Sequence, residues 1–162
     1  MPSPAGSSVQ RPFVLFMIPP PLMFVIAFGA GALIQRFAPF PSMDWDAGAY
    51  DAGLVLLALG VCLALSLAGT FLIRRTTLNP FAKPSAFIAR GPYRFSRNPM
   101  YLSLILTYLG GSLMFSSVWP LLTLLVPVAI LSRVVIPFEE AKMLSAFGDG
   151  YQAYCARVRR WI

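Results

Sequence analysis

The chain has 162 residues, 57% of them apolar and only 12% charged, with a mean hydropathy of +0.70 and a net charge of +7. Charged residues normally cover a soluble domain of this size, so lipid is the expected solvent for much of this one. A nucleic-acid partner would call for a basic face on a soluble fold, whereas these cations flank apolar runs, the pattern of a membrane surface. Histidine is absent, which removes imidazole as a general base and as a metal ligand. Cys62 and Cys155 form neither a metal-ligand spacing nor a disulfide framework and read as small apolar fillers, so no metal is expected.

The first span, 13–35, is uncharged and long enough to cross a bilayer. Pro19, Pro20 and Pro21 within it predict a kink or a local unwinding. A single preceding cation, Arg11, and the length of the run argue for a retained span over a cleaved signal peptide. The second span, 52–73, stops at Arg74-Arg75. Residues 98–132 are then uncharged for 35 positions, about 52 Å as one helix, against a hydrocarbon core of roughly 30 Å. Two helices, 98–115 and 119–136, joined at Ser116-Ser117-Val118-Trp119-Pro120 with Trp119 as an interfacial anchor, fit better.

The loop 37–51 holds Asp44, Asp46 and Asp51 and no Lys or Arg, while 74–97 holds six cations and no acid. By the positive-inside rule both termini are cytoplasmic, with Arg36 the outlier. The expectation is an all-α integral membrane protein of one domain, 1–162, with four transmembrane helices. Spans three and four form a helical hairpin, and an amphipathic cytoplasmic helix lies in the tail 137–162. Tyr151, Tyr154, Val158 and Trp161 mark the apolar face of that helix, which lies on the membrane or closes over a cytoplasmic pocket, and Arg157, Arg159 and Arg160 fall elsewhere.

No acid lies in the middle of an apolar run, which argues against a proton-coupled exporter. Polar groups gather instead at 74–79, 91–101 and 133–140. Arg74 and Arg75 read as a stop-transfer pair, whereas Thr76, Thr77 and Asn79 read as helix caps or ligand donors. Arg133 and Glu140 are seven apart and would share a face of a continuous helix, a register that Pro137 disturbs. The pair Glu139-Glu140 is unexpected at a border that cations usually line, and it could hold a cationic or hydroxyl-rich ligand.

Read in order, Gly-Pro-Tyr-Arg-Phe-Ser-Arg-Asn-Pro-Met-Tyr-Leu (91–102), Tyr-Leu-Gly-Gly (108–111), Glu-Glu (139–140) and the tail 147–161 resemble the isoprenylcysteine carboxyl methyltransferase family and its phospholipid methyltransferase relatives. Ala-Gly-Thr-Phe (68–71) looks like a stretch of the phospholipid branch. The resemblance implies a membrane-embedded methyltransferase that uses S-adenosyl-L-methionine, and no glycine-rich dinucleotide fingerprint competes with it. Carried over, Arg97, Asn98, Pro99, Tyr101, Glu139 and Glu140 are the leading cofactor contacts, with Gly91, Tyr93 and Arg94 as neighbours.

The sequence departs from the prenylcysteine pattern where Asn98 replaces the usual histidine, which keeps a directed hydrogen bond but cannot titrate. Ser103 stands where glycine is usual and would slightly crowd helix packing. The acceptor is expected to be lipophilic, such as an isoprenylcysteine-like carboxylate that Arg133 orients, arriving from the bilayer. A phospholipid amine, deprotonated by Glu139 or Glu140, is the alternative. A non-catalytic four-span scaffold or lipid-binding protein is the reading from a different class. The short, loop-poor chain fits a bacterial inner membrane.

Overall fold

A computed structural model describes residues 18–38, 47–74 and 89–162, and these are helical apart from short connections. The expectations for 13–17, Asp44, Asp46, Arg75, Thr76, Thr77 and Asn79 lie outside the described residues, as does most of the loop 74–97. In chain order the helices are α1 (Pro20–Phe37), α2 (Ala47–Arg74), α3 (Pro99–Met114), α4 (Val118–Thr123), α5 (Leu125–Ile130) and α6 (Ile136–Arg157). A 3₁₀ turn, Gly91–Arg94, precedes α3, and a π-helical turn, Leu131–Val135, joins α5 to α6. Among the described residues three helical stretches are long and apolar enough to cross a membrane, Pro20–Phe37, Gly48–Thr70 and the continuous path Val118–Arg157, with the shorter apolar Pro99–Met114 beside them.

Among the described residues α1 begins at Pro20, after non-helical Ile18 and Pro19, so Pro20 and Pro21 are its first residues, where a missing N–H costs nothing. The helical path does not break at Pro137 but runs on to Arg157. Pro137 cannot donate to the carbonyl of Arg133, and its ring would press on that carbonyl. The chain widens just before it: the Ile136 N–H bonds to Leu131 O, five residues back, which is the local adjustment that carries a helix past such a residue.

Packing follows membrane rules, with small residues where backbones meet. A Cβ on Gly110 would stand 2.5 Å from Leu57 N and 2.6 Å from Gly53 O, and one on Gly53 would stand 2.9 Å from Gly110 O. The α2–α3 seam therefore closes only with glycine at these positions. Ser103, buried in α3, sits opposite Gly60, where a Cβ would come within 2.8 Å of the Ser103 carbonyl. The Ser103 hydroxyl turns back on its own helix and donates to Met100 O at 2.7 Å.

Gly31 of α1 plays the same part against Pro120 at the start of α4. There Ser117 caps α4 by accepting from Trp119 N, and Trp119 Nε1 donates to Ala38 O at 2.8 Å. A core of Phe24, Ala27, Tyr101, Tyr108, Leu124, Leu131, Val135 and Ile136 lies between α1, α3 and the long path. Outward faces carry exposed apolar residues such as Val25, Leu33, Leu54 and Leu65, as lipid-facing helices do.

Candidate functional site

The polar ends of α3 and α6 meet. Tyr101, in the first turn of α3, donates its hydroxyl to Glu139 Oε1 at 2.7 Å. One residue on, Glu140 pairs with Arg97, whose Nη1 lies 3.1 Å from its Oε1, and accepts from Arg160 through Nη2 at 2.6 Å and Nε at 3.2 Å. Arg97 Nη1 also lies 2.9 Å from Cys155 Sγ. Its Nε is buried with no hydrogen-bond partner among the described residues.

This geometry depends on a backbone break in α6. Gly148 has φ 51 and ψ −130, a conformation outside the helical region that suits glycine. Beyond it Tyr151 and Tyr154 are buried, and the Tyr154 hydroxyl donates to Tyr93 O at 2.7 Å. The apolar face expected of a membrane-lying helix is therefore turned onto the protein. The helix ends at Arg157, and Val158 is extended. A strap formed by 158–162 then folds back on the N-terminal side of α3. Arg97 N donates to Arg159 O at 3.0 Å, Asn98 Nδ2 donates to Arg160 O at 2.9 Å, and Trp161 packs against the core.

The residues singled out in the sequence fall into three groups. Arg97, Tyr101, Glu139 and Glu140 are brought together as described. Gly91, Tyr93, Asn98 and Pro99 hold the backbone around them: Gly91 has φ 62, Tyr93 supplies the carbonyl that Tyr154 uses, and Pro99 is the first residue of α3. Asn98 serves the strap through its amide. Arg94 and Arg133 are exposed and make none of these contacts. Burial pushes the Tyr93 phenol up to about 12, with smaller contributions from Tyr154 and Glu139. The Arg160 guanidinium is raised further above its ordinary value by its hydrogen bonds to Glu140.

A cavity of about 280 Å³ opens beside this cluster, lined by Arg97, Glu140, Ala141, Leu144, Tyr151, Gln152 and Cys155. Sequence reading missed Gln152, Cys155 and the pairing of Arg160. Arg160 carried no local signal, because a cation in a basic tail looks the same whether it faces lipid phosphate or a carboxylate twenty residues away.

Helices able to span a bilayer, with a carboxylate–arginine cluster and a cavity at one end, define a polytopic membrane protein with a polar ligand site at its border. The comparisons narrow this class. A family model described as phospholipid methyltransferase matches residues 49–150, and the chain belongs to that family. An uncharacterized protein of Haemophilus influenzae is 35% identical over 63 residues, covering 39% of this chain and all of the relative. The human protein named phosphatidylethanolamine N-methyltransferase is 39% identical over 105 residues, covering 61% of this chain and 50% of the relative, so the match spans about half of the human protein's length. No solved structure matches.

The chain is therefore an S-adenosyl-L-methionine-dependent methyltransferase of a membrane-embedded family. The match falls on the phospholipid branch of the resemblance seen in the motifs. The residues present fit the cofactor's chemistry. Glu140 and Tyr151 suit its cationic groups, the unpartnered Arg97 Nε suits its carboxylate, and Gln152 suits its hydroxyls and ring nitrogens.

Proposed function

We propose that this protein methylates the primary amine of an ethanolamine phospholipid at the cytoplasmic face of the membrane. The observation that carries the reading is the division of labour between two adjacent carboxylates. Glu140 is engaged by two arginines, whereas Glu139 accepts one phenol hydrogen bond and retains lone pairs. When bound, S-adenosyl-L-methionine would supply a methyl group activated on sulfonium sulfur, with S-adenosylhomocysteine as the leaving group. Arg97, Glu140, Tyr151 and Gln152 would hold and orient it.

An amine acceptor enters the membrane interface as an ammonium and must lose a proton before its lone pair is nucleophilic. Glu139 takes that proton, and Tyr101 fixes the carboxylate by its hydrogen bond. Most of the remaining catalysis is positioning and exclusion of water, which the closed α3–α6 junction provides. A carboxylate acceptor would need no such base, so Glu139 favours the amine over the prenylcysteine alternative.

The test is an acceptor panel with isotope-labelled cofactor and detergent-purified protein. Phosphatidylethanolamine should be labelled at its headgroup nitrogen, and a farnesylcysteine should not. Labelling of the farnesylcysteine carboxylate, with none on the phospholipid, would replace this reading with the prenylcysteine one. Saturable S-adenosylhomocysteine binding with no transfer to any membrane lipid would favour the non-catalytic scaffold.

A further inference from the structure

The cluster at the α3–α6 junction leaves one cation of the same helical path unused. Arg133 sits in the π turn, exposed, with no hydrogen-bond or ion-pair partner among the described residues. Its neighbours Leu131, Val135 and Ile136 are buried at 0%, 7% and 0% exposure, so Arg133 is turned away from the core. An ionised side chain beside an apolar span is costly unless something answers it, and no described residue does.

The helix continues through Pro137, and Glu140, Ala141 and Leu144, which line the cavity, follow Arg133 within about three turns. The π turn that holds Arg133 rotates it relative to a strict α-helical register, so the link between them is one of depth: the path rises about 10 Å from Arg133 to Glu140 at the cavity rim.

Depth along this helical path matches the order of groups in a phospholipid. Arg133 is the first charged residue after the uncharged run 98–132, which puts it at the hydrocarbon border. Glu140 stands further out. In a bilayer lipid the phosphodiester likewise sits at the hydrocarbon border, and the headgroup amine lies two carbons further out. Arginine is the side chain best suited to a phosphate, by its fixed fork of donors.

We infer that Arg133 is the phosphodiester clamp of the lipid acceptor, holding the phosphate so that the headgroup amine is delivered along the Pro137–Glu140 face to the cavity. This rests on the proposed phospholipid reading and deepens it. The clamp selects acceptors by a group that takes no part in the reaction, so loss of it relaxes specificity rather than chemistry.

The experiment compares two acceptors in mixed micelles, phosphatidylethanolamine and a long-chain primary amine without phosphate, for wild type, R133Q and R133K. The ratio of kcat/KM between the two acceptors should fall roughly 10- to 100-fold in R133Q, through KM for the phospholipid. R133K should recover part of the loss. S-adenosylhomocysteine affinity, read by calorimetry, checks that each variant is folded.

An unchanged ratio in R133Q, or an equal loss on both acceptors, would overturn the clamp while leaving phospholipid methylation intact. If wild type methylates no phospholipid, the parent reading fails instead. Thermal stabilisation by phosphatidylethanolamine over the matching diacylglycerol then decides the clamp alone: it should be present in wild type and absent in R133Q. Equal stabilisation of both proteins would contradict it.

Discussion

Glu140→Ala removes the one carboxylate that ties Arg97, Arg160 and the strap to α6. Arg97 and Glu140 side chains are 17% and 18% exposed, so their 3.1 Å pair is largely shielded and carries most of the effect. The Arg160 side chain is 38% exposed, so its pair is discounted towards the surface value of about 1 kcal/mol or less. Loss of a charge-assisted bond at the shielded pair costs roughly 1.5–3 kcal/mol, and Cys155 Sγ remains as a weak acceptor for Arg97 Nη1. Together the change is about 2–3 kcal/mol, which for a chain of this length lowers Tm by roughly 5–10 °C. Thermal unfolding in detergent, followed by far-ultraviolet circular dichroism, measures it, and R160Q should lose about a third as much. A Tm for E140A within about 1 °C of wild type would refute the reasoning, because the cluster would then hold nothing together.

Tyr101→Phe keeps the ring in the core but removes the hydroxyl that orients Glu139, so kcat should fall about tenfold with S-adenosylhomocysteine affinity little changed. Gly110→Val drives a side chain into Leu57 N and Gly53 O and should destabilise by roughly 1–3 kcal/mol or more in thermal unfolding, whereas Gly29→Ala, with open space at its Cβ, should be neutral or stabilising. Gly148→Ala strains a left-handed backbone at a cost of roughly 1–3 kcal/mol and should raise amide exchange in the strap. The Tyr93 phenol, raised from 10.0 to about 12 in the folded protein, predicts an alkaline limit. Folded and unfolded chains both hold this proton below pH 10, but between pH 10 and 12 the unfolded chain loses it first, so Tm should fall across that window and fall less in Y93F.

The apolar runs made the helices legible, because a bilayer demands them at a length that few other structures need. The meeting of 97–101 with 139–140 was also legible, since a hairpin of spans three and four turning at 116–120 brings its two ends together. Pro137 hid the continuity of the helical path. Its effect depends on whether the preceding turn can widen, which is a property of packing around Leu131 and Ile136 rather than of any residue type. The tail left two readings open. Tyr151 and Tyr154 have the spacing of an interfacial helix, but Gly148 turns that face onto Tyr93 and the cavity, and only tertiary structure shows where a glycine leaves the helical region. The roles of Gly53, Gly60 and Gly110 were hidden for the same reason, because a glycine in an apolar span looks like filler until its partner helix is known.

The central claim is that this membrane protein transfers a methyl group to the amine of an ethanolamine phospholipid. The most direct measurement is mass spectrometry of phospholipid vesicles incubated with purified protein and deuterium-labelled S-adenosyl-L-methionine. The account predicts ethanolamine lipids carrying a labelled methyl in the headgroup fragment, with loss of that product in E139Q. Label in an acyl chain, in a carboxyl ester, or in no lipid at all from protein that binds S-adenosylhomocysteine would contradict it.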